Sequence, residues 1–180
     1  KGVLEASERS FIAKGLTHKW LAVHGNHDAL LQGTAATTSE LDSLAQGSEK
    51  LAALKNMADL ADLFSGFGEV GPAVYPGLDH METNEVTADP RRALVKMSDW
   101  VNVHTNCVHD HGLDAEQPET PYWYRNIGDQ VRLIALDTVN RFGGWQGCLH
   151  REQFDWLSHM LDESKDKYVV LTSHHPLENL

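Results

Sequence analysis

An Asn, a His and an Asp stand in a row directly after a glycine and a short apolar run, in Leu21-Ala22-Val23-His24-Gly25-Asn26-His27-Asp28. Four specified residues such as Gly-Asn-His-Asp arise by chance in about one chain in a thousand of this length at average composition. The amide oxygen of Asn26 is a neutral ligand and suits a metal site already crowded with carboxylates. Imidazole nitrogen suits Zn, Fe, Ni and Cu, while oxygen ligands suit harder ions such as Mn. A mixed oxygen and nitrogen donor set is typical of two-metal hydrolase sites, where ions roughly 3.5–4 Å apart clamp a phosphoryl group and acidify a water. An imidazole, with a reference pKa of about 6.5, can give or take a proton at working pH. His27 is therefore the candidate proton donor and Asp28 the carboxylate that orients it.

A second apolar run ends in the same way. Val170-Leu171-Thr172-Ser173 delivers His174 and His175, followed by Pro176. Adjacent strand ends would bring His174 to Asn26 although 148 positions separate them, as 174 less 26 gives. Other candidates have plainer readings. His24 precedes the glycine and is expected to be a core or hydrogen-bonded residue. His109-Asp110-His111 is expected to be a solvated loop; its functional version has His111 reaching over the site to touch substrate. Asp137 ends a strand and is read as a structural hydrogen-bonding residue. Arg91-Arg92 reads as an exposed helix start, and Tyr122, Trp123 and Tyr124 as strand packing.

The elements that must position these groups are two strands at either end of the chain, Trp20 to His24 and Tyr168 to Thr172, the second β-branched and expected to be buried. Tyr122 to Arg125 and Val131 to Leu136 read as an antiparallel pair joined through Gly128-Asp129. Arg151 to Glu163 reads as a helix with Phe154, Leu157 and Leu161 on one face. Leu4 to Leu16 is expected to be helical and Leu31 to Thr38 to be loop. Ser39 with Asp42 resembles a capping box. It opens an amphipathic helix or helix pair marked by Leu41, Leu44, Leu51, Leu54, Met57, Leu60 and Leu63, broken near Gly47-Ser48. Gly66 to Pro90 reads as a long irregular connection, Arg91 to Val103 as helix, and His104 to Pro121 as loop. The stretch 30–122 is then one long insertion between sheet strands, within a single unit spanning 1–180, and a substrate-selecting lid is the role expected of it.

Composition narrows the class. The 180 residues carry a net charge of −11 with no basic cluster, which argues against nucleic-acid and anionic-membrane partners. An acidic protein that handles phosphate needs local positive charge, and metal ions supply it. Two cysteines, Cys107 and Cys148, form one bridge or stay free; they are too few for a disulfide framework. No segment is long and apolar enough to span a membrane.

Gly25-Asn26-His27-Asp28 resembles the Gly-Asn-His-Asp/Glu signature of the calcineurin-like metallophosphoesterases. Val170-Leu171-Thr172-Ser173-His174-His175-Pro176 resembles that superfamily's later strand, and Leu133 to Thr138 with Gln153 to Leu157 resemble the strand and helix before it. The long insertion resembles a bacterial branch whose members often carry a twin-arginine export signal. The resemblance implies an α/β fold, a metallophosphoesterase-type β-sandwich flanked by helices and incomplete in this chain. It implies hydrolysis of a phosphate ester by a phosphatase or phosphodiesterase with two metal ions, Mn, Fe or Zn. Asn26 and His174 would ligate one of them, His27 would contact the phosphate and help the leaving group depart, and Asp28 would pair with His27. His175 is assigned a supporting place behind His174.

The superfamily's Asp-x-His and Gly-Asp-x-x motifs would precede Lys1, and its Gly-His-x-His motif would follow Leu180. The chain therefore reads as an internal piece that by itself holds metal weakly and is inactive. The rivals are a non-catalytic binding or scaffold protein on the same fold, with a degenerate site, and a simple histidine-based metal binder.

Overall fold

The computed structural model describes residues 2–56, 81–107, 109 and 111–180. Among the described residues the chain is mixed α/β, with two small sheets and a few helices. No helix among the described residues is long and apolar enough to cross a membrane.

The larger sheet follows directly from the sequence pattern. Strands β3 (Trp123–Ile127) and β4 (Val131–Leu136) form the expected antiparallel pair, turning at Gly128 with φ of 62°. Strand β5 (Tyr168–Ser173) pairs parallel to β4, so the order is β3-β4-β5. Apart from Arg132, β4 is apolar throughout, as a strand covered on both faces must be. Alternation sends Leu133 and Ala135 to one face and Ile134 and Leu136 to the other. The first face packs with Trp123, Ala22, Val101 and Leu113. The second packs with Met160, Trp156 and Leu157 of the helix Arg151–Asp162.

That helix is present where periodicity places it, but its buried face is different. Phe154 is 51% and Leu161 42% exposed, while Gln153 is 2% exposed. Gln153 is drawn inside by polar chemistry: its side-chain oxygen accepts from the Asp137 N–H at 2.8 Å and its amide nitrogen donates to the Asp137 carbonyl at 2.6 Å. Strand β5 is also less covered than its β-branched run suggests. It is one edge of the sheet among the described residues, and Tyr168, Val170 and Leu171 are 76%, 49% and 41% exposed.

Upstream, three expectations are corrected. The helix expected over Leu4 to Leu16 is confined to α1 (Val3–Ser7), which buries no residue. A short helix without a packed face lacks the tertiary contacts that sustain helices. Trp20 to His24 belongs to neither sheet. Its backbone is held instead by the Ala22 N–H donating to the His111 carbonyl at 2.8 Å and by Trp123 Nε1 donating to the Ala22 carbonyl at 2.9 Å. The leucine-rich stretch is not a helix pair: α3 (Ser39–Gln46) gives way at Gly47 to strand β1 (Glu49–Leu54), which pairs antiparallel with β2 (Met81–Glu85). Met57, Leu60 and Leu63 lie outside the described residues. The cap of α3 is Thr38, whose side chain accepts from the Leu41 N–H at 3.2 Å; Asp42 instead accepts from the Leu94 N–H at 2.7 Å.

Within 30–122, a 3-10 turn (Pro90–Arg92) and helix α4 (Met97–Thr105) replace the single helix expected from Arg91 to Val103. Val101, Met97 and Trp100 of α4 pack in the cluster around Ala22 and Val23. This part of the chain therefore buttresses the segment that carries Asn26.

Candidate functional site

The backbone turns sharply after the buttressed segment. Gly25 to Asp28 closes as a turn opening the four-residue helix α2 (Asn26–Ala29): the Asp28 carboxylate accepts from the Gly25 N–H at 3.0 Å, and the Asp28 N–H donates to the Gly25 carbonyl at 3.0 Å. Asp28 therefore shapes the turn. Among the described residues no hydrogen bond joins it to the His27 ring, so the expected Asp28–His27 pairing is replaced by this backbone contact.

Asn26 is buried and its carboxamide is oriented from both ends. Nδ2 donates to the Gly33 carbonyl at 2.7 Å, which leaves Oδ1 facing His174, with Nε2 of that ring 2.9 Å away. Reversing the amide would set two oxygens against each other at Gly33, so the network fixes its orientation. His174 follows β5 directly, and its ring lies over Gly25, where a Cβ would stand 2.9 Å from its Nδ1. The two residues expected to share a metal are thus brought together across the whole described chain.

Gly33 is a functional residue that motif reading misses. It has a φ of 74°, and a Cβ on it would run into the His27 ring. It thereby seats His27 on its α-carbon while holding Asn26 by its carbonyl. Gln32 beside it also has a positive φ, 54°. A Gln-Gly step is an ordinary turn signal, and nothing in its type announces these two contacts.

Behind the pair lies a second layer of polar groups. His24 is buried and its Nδ1 donates to Asp137 Oδ1 at 3.1 Å, as expected of a hydrogen-bonded core histidine. Asp137 also accepts from the Val139 N–H at 3.2 Å and from Arg141 at 3.3 Å. Burial alone would raise its carboxyl, but the hydrogen bond and charge of His24, the Val139 N–H and Arg141 together hold it below the ordinary carboxylate range. His175 is buried with its ring perpendicular to that of His174, centroids 4.9 Å apart. Its Nδ1 shares a 2.8 Å hydrogen bond with Thr138 Oγ1. Burial, then the neighbouring His174, push the His175 imidazole below its ordinary pKa, so it stands neutral at pH 7.

His111 is neither a solvated loop residue nor in contact with this pair. It is 8% exposed, stacks on Trp20 at 3.6 Å, donates from Nδ1 to the Trp20 carbonyl at 3.0 Å, and sets Nε2 3.2 Å from Cys107 Sγ. Both ring nitrogens are committed, so its expected reach over the site gives way to holding the Trp20 backbone. Asp110 lies outside the described residues. Both cysteines are free, Cys107 exposed and Cys148 half-buried.

Oδ1 of Asn26 and Nε2 of His174 stand 2.9 Å apart, an ordinary hydrogen-bond separation, and both are atoms of metal-ligating types. Among the described residues no group of three or more His, Cys, Asp or Glu side chains completes such a cluster. No family model, curated protein or solved structure matches this chain.

Proposed function

We propose that this chain carries part of a dinuclear metal site of the calcineurin-like metallophosphoesterase type and that the protein hydrolyses a phosphate ester. The observation that carries the reading is the convergence of Asn26 Oδ1 and His174 Nε2 at 2.9 Å, with the Asn26 amide pinned behind by Gly33. In this reading the pair holds one ion, and the remaining donors come from outside the described residues. What such ions supply is charge against the phosphoryl oxygens and an acidified water.

The chain's own residues do the rest. Asn26 presents a neutral oxygen whose direction is set before any ion arrives. His174 can bind an ion through Nε2 only after the proton it gives to Asn26 moves to Nδ1 or leaves. His27 is exposed and seated on Gly33, and in this reading it gives a proton to the departing alcohol. Asp28 keeps the turn closed, and His24 with Asp137 ties that turn to the end of β4, next to the strand that delivers His174.

A non-catalytic binder on the same fold is the second reading, favoured by the lack of a third donor among the described residues. One experiment separates the two. The full-length protein is loaded with Mn, Fe or Zn, its bound metal is measured, and aryl phosphate mono- and diesters are assayed. Turnover that falls together with metal content in Asn26→Ala and His174→Ala is expected. Metal retained by the wild type without turnover of any ester would sink the hydrolase and leave the binder.

A further inference from the structure

Residues 139–147, Val-Asn-Arg-Phe-Gly-Gly-Trp-Gln-Gly, form a loop closed at its base by a bridge between Val139 and Gly147 and by the Cys148 N–H donating to the Thr138 carbonyl at 3.0 Å. Its tip is pinned as well. The Gly143 N–H donates to the Asn140 carbonyl at 3.0 Å, and the Phe142 N–H to Asn140 Oδ1 at 3.1 Å.

This loop touches both halves of the candidate site. On one side the Gly144 N–H donates to the Thr34 carbonyl at 2.6 Å, and Thr34 adjoins Gly33, which seats His27 and anchors Asn26. On the other side the Trp145 backbone borders the His175 imidazole, and Gly147 packs so closely that a Cβ there would stand 2.8 Å from His175 Cβ. Trp145 thus sits between Gly144, which is bonded to the residue following Gly33, and the contact of its own backbone with His175, the neighbour of His174. A tryptophan anchored in this way would ordinarily tuck its ring away, yet Trp145 is 50% exposed. Its backbone is fixed and the residue is left half open to solvent.

We propose that Trp145 is a stacking platform for a planar aromatic ring beside the Asn26–His174 pair, and that the ester handled there bears that ring on its leaving alcohol. The substrate class rests on the phosphoesterase reading; the platform itself does not. A rigid indole beside a phosphate site adds contact area at little conformational cost, and stacking of a planar ring on an aromatic side chain changes affinity by about tenfold or more. Phe142, on the other side of Gly143-Gly144, lines a separate cleft of about 280 Å³ with Tyr122, Arg141 and His150, and serves as the control.

The test uses the metal-loaded full-length protein with two non-hydrolysable probes, phenylphosphonate and methylphosphonate, by calorimetry. The expected result is phenylphosphonate binding about tenfold tighter than methylphosphonate, a preference abolished in Trp145→Ala, largely kept in Trp145→Phe and unchanged in Phe142→Ala. Equal affinity for the two probes, no binding of either, or a preference that survives Trp145→Ala overturns the proposal. Turnover of phenyl phosphate, adenosine 5′-phosphate and glycerol phosphate is read alongside. Aromatic esters should lose about tenfold in kcat/KM in Trp145→Ala while glycerol phosphate does not, and the favoured aromatic ester tells an aryl from a nucleoside leaving group. Aromatic preference in binding with no turnover of any ester would overturn the hydrolase and leave the platform standing.

Discussion

His174 lies over Gly25, and that contact is what allows its Nε2 to come within 2.9 Å of Asn26 Oδ1. A Cβ on residue 25 would stand 2.9 to 3.1 Å from three atoms of the ring, so the imidazole must shift. Gly25 itself has an ordinary extended backbone, φ of −127°, that alanine accepts. Gly25→Ala should therefore spare the fold and damage the site. The expected outcome is a melting temperature within about 2 °C of wild type and metal affinity about tenfold weaker, since small displacements of a ligand's support have effects of that order. Titration with Mn or Zn against a chelating indicator checks it, and unchanged affinity would show that His174 is not a ligand.

His27 and Gly33 make a complementary pair of substitutions. His27 makes no contact with the Asn26–His174 hydrogen bond, so His27→Ala should leave metal content nearly intact while turnover falls about 10²- to 10³-fold, as loss of a general acid does. Gly33→Ala should do more. Alanine at a φ of 74° is strained by about 1–2 kcal/mol, and its Cβ would also displace the His27 ring. A melting temperature lower by about 3–6 °C, with both metal and turnover reduced, is expected. Parallel measurement of bound metal and rate decides: metal loss in His27→Ala would mean that its role is misassigned.

What the sequence made visible, and what it hid, divides by the kind of force involved. The β3–β4 pair and the parallel run of β5 are visible because apolar runs and a turn glycine announce them locally. The meeting of Asn26 with His174 is visible because each ends an apolar run in a metal-ligating type. Strand β1 was hidden because Leu41, Leu44, Leu51 and Leu54 share a spacing that a helix also satisfies; its pairing with β2, some thirty residues on, is a non-local choice. The buried face of the 151–162 helix was hidden because Gln153 goes inside for two backbone hydrogen bonds, which hydrophobicity cannot register. Gly33 and the Trp145 loop were hidden because their roles exist only as close approaches between segments.

Asp137 gives a prediction about acid. Its carboxyl is held below the ordinary range, so the folded state binds its proton less readily than the unfolded chain, whose Asp pKa is about 3.9. The stabilisation is complete above the unfolded value and disappears as pH falls through the lower folded value. Wild type should lose stability on acidification below about pH 4, and Asp137→Asn should flatten that limb. At pH 7 the same variant should be destabilised by about 1–3 kcal/mol, because the His24 Nδ1–H, the Val139 N–H and Arg141 lose a charged acceptor. Urea midpoints from pH 7 to pH 3 test both parts; an unchanged acid limb in Asp137→Asn would assign the acid sensitivity to other carboxylates.

The edge of the larger sheet supplies the last prediction. Ile127, Val131 and Tyr168 stand opposite one another across the three strands, with Leu133 and Val170 in the next row but one. Of these, Ile127, Tyr168 and Val170 are 57%, 76% and 49% exposed. Strand β5 itself, Tyr-Val-Val-Leu-Thr-Ser, holds no charge, proline or glycine of the sort that guards an edge against pairing with another chain. This chain expressed as residues 1–180 should therefore self-associate through β5. Val170→Lys places a charge on the strand at a half-exposed position, where the folding cost should stay within about 1 kcal/mol. Light scattering at rising concentration should show association in wild type and its suppression in the variant, with circular dichroism unchanged. If both associate alike, the edge is already guarded and the exposed Phe11 and Ile12, 84% and 95% exposed, become the surface to charge next.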